Sequence, residues 1–224
     1  MALPVALEQF VGVERFAILR QVALMPRDLT SVVPDARPGD DVVVLVHGFF
    51  ASAGVFRPLR GRLERETGAR VATFTHAPGI GIRRIARQLA ELIDHVPLGA
   101  RITVVGHSLG GVVARWYVQE MEGHARVSRT ISLASPFRGV NVPQVLVGAD
   151  VHEQSALLRR VRDRAHLYGV PHTSVVAASD TVVVGVHTAS LGFGDVVVVS
   201  NRGHNGLLFD QAVARLVMDR IEGR

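Results

Sequence analysis

From Asp41 onward the sequence alternates between short unbroken apolar runs and longer stretches with helical spacing. The runs read "DVVVLVHG" (41–48), "ARVATFTHA" (69–77), "RITVVG" (101–106), "SRTISLAS" (128–135), "HTSVVAAS" (172–179) and "DVVVVS" (195–200). Each has the length of a strand and turn residues at its borders. Most lack the polar–apolar alternation of a one-sided sheet, so they predict strands buried on both faces. Helical patterns fill 55–67, 81–95, 109–122 and 207–221; in the second, Ile82, Ile85, Leu89, Leu92 and Ile93 share one side. Strand alternating with helix predicts an α/β fold: a mostly parallel central sheet with helices on both faces.

Two segments depart from the alternation. Residues 1–40 form an N-terminal extension, with an amphipathic helix expected near 11–25 and docked on the domain. It is interrupted by Glu14, Arg15 and Arg20, and lacks both the basic start of a signal peptide and a run long enough to span a bilayer. The default compartment is therefore cytoplasmic, with a secreted mature form left open. Residues 136–171 are too long for an ordinary connection and carry a helical pattern around 151–167. A short cap-like insertion over one end of the sheet is expected. With 224 residues and 48% hydrophobic content, residues 1–224 read as a single domain with an ample core.

Charge and cysteine content narrow the function. All 25 basic residues are arginine, and the net charge is only +5. Almost nothing titrates between neutrality and the arginine range, so the pI of about 11 is not a nucleic-acid signature. The densest cluster is Arg159, Arg160, Arg162 and Arg164; it reads as a solvated helix face, with anionic headgroups as the other reading. The absence of cysteine excludes disulfides, zinc–thiolate sites and thiol catalysis.

The third apolar run ends in Gly106-His107-Ser108-Leu109-Gly110, and a helical pattern follows at once. A nucleophile on a sharp strand-to-helix turn sits in strained backbone. Glycines two before and two after leave room where strand and helix nearly touch. The helix then points its positive end at developing negative charge. A P-loop needs a lysine, which the chain lacks, and "GHSLGG" has the wrong spacing for a dinucleotide fingerprint.

A serine nucleophile needs a base, and the base an orienting acid, both at carboxyl ends of later strands. Of the six histidines after Ser108, only His204 directly follows a strand, in "VVVVSNRGHNGLL", with Gly203 and Gly206 forming a mobile turn. His187 is the alternative. Asp180 ends the fifth run; Asp195 starts the sixth and so faces away, and Asp150, Glu153 and Asp163 fall in the insertion. For the oxyanion hole the candidates are the N–H groups of Leu109 and of Phe49, the latter in "VLVHGFFASAG", where Gly48 permits the turn. His47 is expected to brace that loop. Phe49, Phe50, Phe56 and Phe137 are candidates for an apolar substrate pocket, with core packing as the equal alternative.

With these residues in place, the chain resembles the α/β-hydrolase superfamily, and within it small bacterial lipases and esterases. "LVHGF" is similar to their His-Gly oxyanion motif, "VVGHSLGG" to their nucleophile turn and "SLASPFRG" to their Thr-Pro-His-x-Gly segment. "SDTVV" resembles their acid motif, and "RGHNGLL" their Gly-His-x-x-Leu ending. Ser135 stands where threonine is usual, and Phe137-Arg138 replaces the usual histidine pairing. The resemblance implies an α/β-hydrolase fold and cleavage of carboxylic esters through a Ser108–His204–Asp180 triad and an acyl-enzyme. No cofactor is expected, and because the sequence shows no clear calcium-binding aspartate cluster, no metal either. The partner is a small ester or lipid, with peripheral lipid-surface contact in view. Thioesterase and acyltransferase chemistry remain alternatives on the same machinery. A non-catalytic binding protein is the alternative of another class.

Overall fold

A computed structural model describes residues 5–140 and 149–223, with side chains from residue 14 onward. The six apolar runs form one six-stranded sheet: β1 (Asp41–Val46), β2 (Arg70–Phe74), β3 (Arg101–His107), β4 (Val127–Leu133), β5 (His172–Ala177) and β6 (Asp195–Val199). The strand order is β2-β1-β3-β4-β5-β6, with every neighbouring pair parallel. The helices are α1 (Val5–Leu24), α2 (Arg57–Glu66), α3 (Ile82–Asp94), α4 (Leu109–Glu120), α5 (Ala156–Asp163), α6 (Val186–Ala189) and α7 (Gln211–Ile221).

The period-2 geometry of a strand divides the core in two. Val42, Val44 and Val46 of β1 face α3, α4 and α5, packing with Ile85, Leu89, Val113 and Leu158. Val43 and Leu45 face the other way, onto Leu59 and Leu63 of α2 and Val213 and Val217 of α7. Because both faces are covered, β1 is apolar at five of its six positions. The winding direction reverses between β1 and β3, which lie side by side with Val46 opposite Gly106. A crevice opens beyond the carboxyl ends of strands at such a reversal.

Four expectations are modified. β6 is as apolar as β1 but is an edge strand, with Val196 and Val198 about half exposed. An apolar run alone does not reveal which strand ends the sheet. Over residues 14–24 α1 does dock, but with its polarity reversed. Ala17 is buried, Glu14 and Gln21 are half-buried, and Phe16 and Leu19 are 67% and 68% exposed.

In the insertion, the helix is shorter than its pattern, starting where Ser155 Oγ accepts from Leu158 N. The insertion's residues 141–148 lie outside the described residues. Nor is the arginine cluster simply a solvated face. Arg160 and Arg164 pair with Glu120 of α4 at 2.7 and 3.1 Å, and Arg162 donates to the Phe137 carbonyl at 2.7 Å. The fully buried Arg115 of α4 donates to the carbonyls of Ala165 and Val170, tying down the end of the same segment. Burial pulls its pKa down to about 10. Among the described residues no helix is long and apolar enough to cross a membrane.

Candidate active site

Ser108 occupies the turn between β3 and α4 with φ 52° and ψ −121°. Only a well-supported fold holds a non-glycine residue there. Support comes from both sides: Ser108 N donates to the Leu133 carbonyl at 2.8 Å, and its own carbonyl accepts from Gly111 N. The flanking glycines are needed for space. A Cβ on Gly106 would strike the backbone of Gly110 and Gly111, and one on Gly110 would strike the Val46 carbonyl. Gly48 has a related role. Its φ lies outside the left-handed region, but a Cβ there would come within 2.8 Å of Ser108 Cβ. It gives clearance rather than the turn expected of it.

The ends of β5 and β6 bring Asp180 and His204 together. His204 Nδ1 lies 2.9 Å from Asp180 Oδ2. Asp180 Oδ1 accepts from Val182 N and Val183 N, both at 2.8 Å. The carboxylate is thus fixed in rotation before it meets the imidazole. With Nδ1–H given to Asp180, Nε2 is the nitrogen left to accept a proton. Among the described residues no hydrogen bond joins Ser108 Oγ to His204, and both line one cavity of about 330 Å³. Such contacts commonly tighten only when substrate is bound.

Phe49, Phe50 and Leu109 line this cavity with Pro136, Val140, Val151, Val182 and Val183. Phe49 and Leu109, the residues whose amides are expected to bind an oxyanion, therefore both border the cavity that Ser108 lines. A second cavity of about 240 Å³ shares Phe49, Leu109 and Val151 and is otherwise lined by residues 79–82, Ile85, Ala149 and Asp150. Phe56 and Phe137 are placed elsewhere. Both are fully buried: Phe56 under the α2 face of the sheet, and Phe137 edge-on against His172. Side-chain type alone cannot separate a core phenylalanine from a pocket one.

The remaining candidates fall apart spatially. Asp195 pairs with Arg220 at the opposite end of β6, and His187 is exposed on α6. His172 is buried among Thr130, Ser132 and Ser174. His47 does brace its loop. Its Nδ1 donates to the Gly48 carbonyl at 2.8 Å, its Nε2 accepts from His76 N at 3.0 Å, and the two rings stack at 3.8 Å. Burial, followed by the His76 ring, drives its pKa down to about 3.

Three participants escape sequence reasoning. His107 Nε2 donates to the His204 carbonyl at 3.1 Å, and burial followed by His204 lowers its pKa to about 3. Gln21 of α1 lines the Ser108 cavity. Glu14 of α1 accepts from Asn205 N at 2.8 Å and from Gly206 N at 3.2 Å. The 203–206 turn is therefore held and not free to swing. His107 was visible inside the serine motif, whereas nothing near Glu14 or Gln21 in the chain points to His204.

The family model for palmitoyl protein thioesterase matches residues 42–183. The chain belongs to the palmitoyl protein thioesterase family. The matched segment takes in Phe49, Ser108, Leu109 and Asp180; α1 and His204 lie outside it. Solved structures similar to this family member include the mature lipase BlEst2 of Bacillus licheniformis. They are 14% identical, with a TM-score of 0.67 over 85% of this chain and 95% of that one. Aspergillus fumigatus lipase B is 18% identical, with a TM-score of 0.70 over 86% of this chain and 56% of that one. A thermophilic esterase from Thermogutta terrifontis is 17% identical, with a TM-score of 0.61 over 87% and 98%. At these identities the likeness is one of fold, and with the family match it makes the chain a member of the α/β-hydrolase superfamily.

Proposed function

We propose that this protein is a serine hydrolase that cleaves carboxylic esters by two-step acyl transfer. Ser108 is the nucleophile, His204 the base and Asp180 the orienting acid. The observation that carries the reading is the 2.9 Å contact of His204 Nδ1 with an anchored Asp180, set across one cavity from a strained Ser108. Ser108 Oγ attacks the carbonyl carbon while His204 Nε2 takes its proton. The oxyanion is met by the N–H groups of Leu109 and Phe49. Collapse breaks the bond to the leaving group, which takes the proton from His204. Water, deprotonated in turn by His204, then releases the acid and restores Ser108.

The substrate we infer is an ester or lipid with an apolar acyl chain. Val140, Val151, Val182 and Val183 offer that chain an apolar wall, and exposed Phe50, Val182 and Val184 offer an apolar rim suited to peripheral contact with a lipid surface. The family match supports a second reading, in which the scissile bond is a thioester. The steps are the same except that the group leaving with the His204 proton is a thiol. Residues 1–224 act as one domain, with 1–40 as an extension and 136–171 as a cap. Hydrolysis of matched oxygen esters and thioesters by wild type and Ser108→Ala tests both readings. Serine-dependent turnover of either bond type supports the chemistry, and their ratio chooses between them.

A further inference from the structure

We propose that Glu14, on the N-terminal helix α1, is a positioning residue that sets the placement of His204. This rests on the catalytic reading of His204 above.

Glu14 and Asn205 are 191 positions apart, yet the Glu14 carboxylate receives two consecutive backbone N–H groups immediately after His204. Those amides open the short 3-10 turn Gly206–Phe209 and have no intrahelical partner, as at any helix start. An ionised carboxylate is acceptor-only, and its two oxygens meet two donors in charge-assisted bonds. In the same peptide unit as Asn205 N, the His204 carbonyl takes a hydrogen bond from His107 Nε2. The peptide unit that follows the His204 Cα is thus held at both its C=O and its N–H. Asp180 fixes only the ring's Nδ1. What remains is the distance from Nε2 to Ser108, and it depends on where the backbone sits.

Gly203 fits this picture. Its φ lies outside the left-handed region, so conformation does not demand glycine. A Cβ there would instead come 2.5 Å from Glu14 Oε2 and 2.7 Å from Cδ. The missing side chain admits the carboxylate. On α1, Glu14, Ala17 and Gln21 form one stripe toward the catalytic end of the sheet, and Gln21 reaches the Ser108 cavity. The stripe is polar or small where a merely docked helix would be apolar, which accounts for the reversed polarity of α1.

The test is a kinetic double-mutant cycle on the full chain, using Glu14→Ala, Gly203→Ala and the double variant. Each is followed by kcat, KM and thermal midpoint. An error of about 1 Å in a catalytic group can cost on the order of 10²-fold. Both single variants are therefore expected to lose about 10- to 100-fold in kcat with KM nearly unchanged. In the Glu14→Ala background Gly203→Ala should cost nothing more, because the atoms it strikes are gone. Glu14→Gln keeps one acceptor but turns an NH2 toward an N–H, so its kcat should fall in between. Should Glu14→Ala fail to fold, Glu14→Gln and Gly203→Ala carry the test. Full kcat with a lowered thermal midpoint would make Glu14 a purely structural residue and overturn the proposal. Additive losses would overturn the link to Gly203. If Glu14→Ala keeps full turnover while Ser108→Ala and His204→Ala lose it, only the positioning role fails. If no variant or wild type turns over any ester or thioester, the catalytic reading fails and this one with it.

Discussion

Asp180 and His204 meet through a single oxygen. Asp180 Oδ2 faces His204 Nδ1 at 2.9 Å, while Oδ1 is committed to the amides of Val182 and Val183. The division makes the carboxylate directional. It cannot rotate to offer His204 its other oxygen without abandoning two backbone donors.

Asp180→Asn follows directly. The two amides retain the side-chain oxygen, so the NH2 is turned toward His204 Nδ1. The ring then has to carry its proton on Nε2, the wrong tautomer for a base. We predict a loss in kcat of about 10⁴-fold with a small change in thermal midpoint, read from steady-state kinetics and a melting curve. Activity near wild type would place the acid elsewhere.

Gly110→Ala should act on folding. The added Cβ would run into the backbone carbonyl of Val46, which no rotamer change can relieve. We expect a loss of about 3 kcal/mol, at the upper end of overpacking costs, measured as a lowered urea midpoint with unchanged slope. An unchanged midpoint would mean that β1 and α4 are not so closely apposed.

Acid should destabilise the fold before the carboxylates titrate. His47 and His107 have folded pKa values of about 3 through burial, against an ordinary value of 6.5. Between pH 3 and 6.5 the unfolded chain binds more protons at these sites than the folded one, so stability falls as pH drops through that window. Each contributes a slope of about 1.4 kcal/mol per pH unit at full effect. Urea midpoints measured from pH 7 to pH 4 should fall steadily, and more gently in His107→Gln.

The sheet was legible because burial on both faces writes itself as unbroken valine and leucine runs. That Ser108, Asp180 and His204 come together was legible because each follows a strand's carboxyl end, where chain order and geometry coincide. Position in the sheet was not: "DVVVVS" reads like "DVVVLV" although one is an edge and the other central. Phe56 and Phe137 read like Phe50, since aromatic character does not say which side of the sheet a ring faces. Glu14 was out of reach for a different reason. Its partners are backbone amides, which leave no mark on side-chain identity, and they lie at the other end of the chain.

The most direct measurement is turnover of a matched pair, a palmitoyl oxygen ester and a palmitoyl thioester, by wild type beside Ser108→Ala. The account predicts hydrolysis of at least one substrate, with a loss of about 10³-fold or more in Ser108→Ala. Equal rates in the two proteins, or no turnover by a folded wild type, would contradict it.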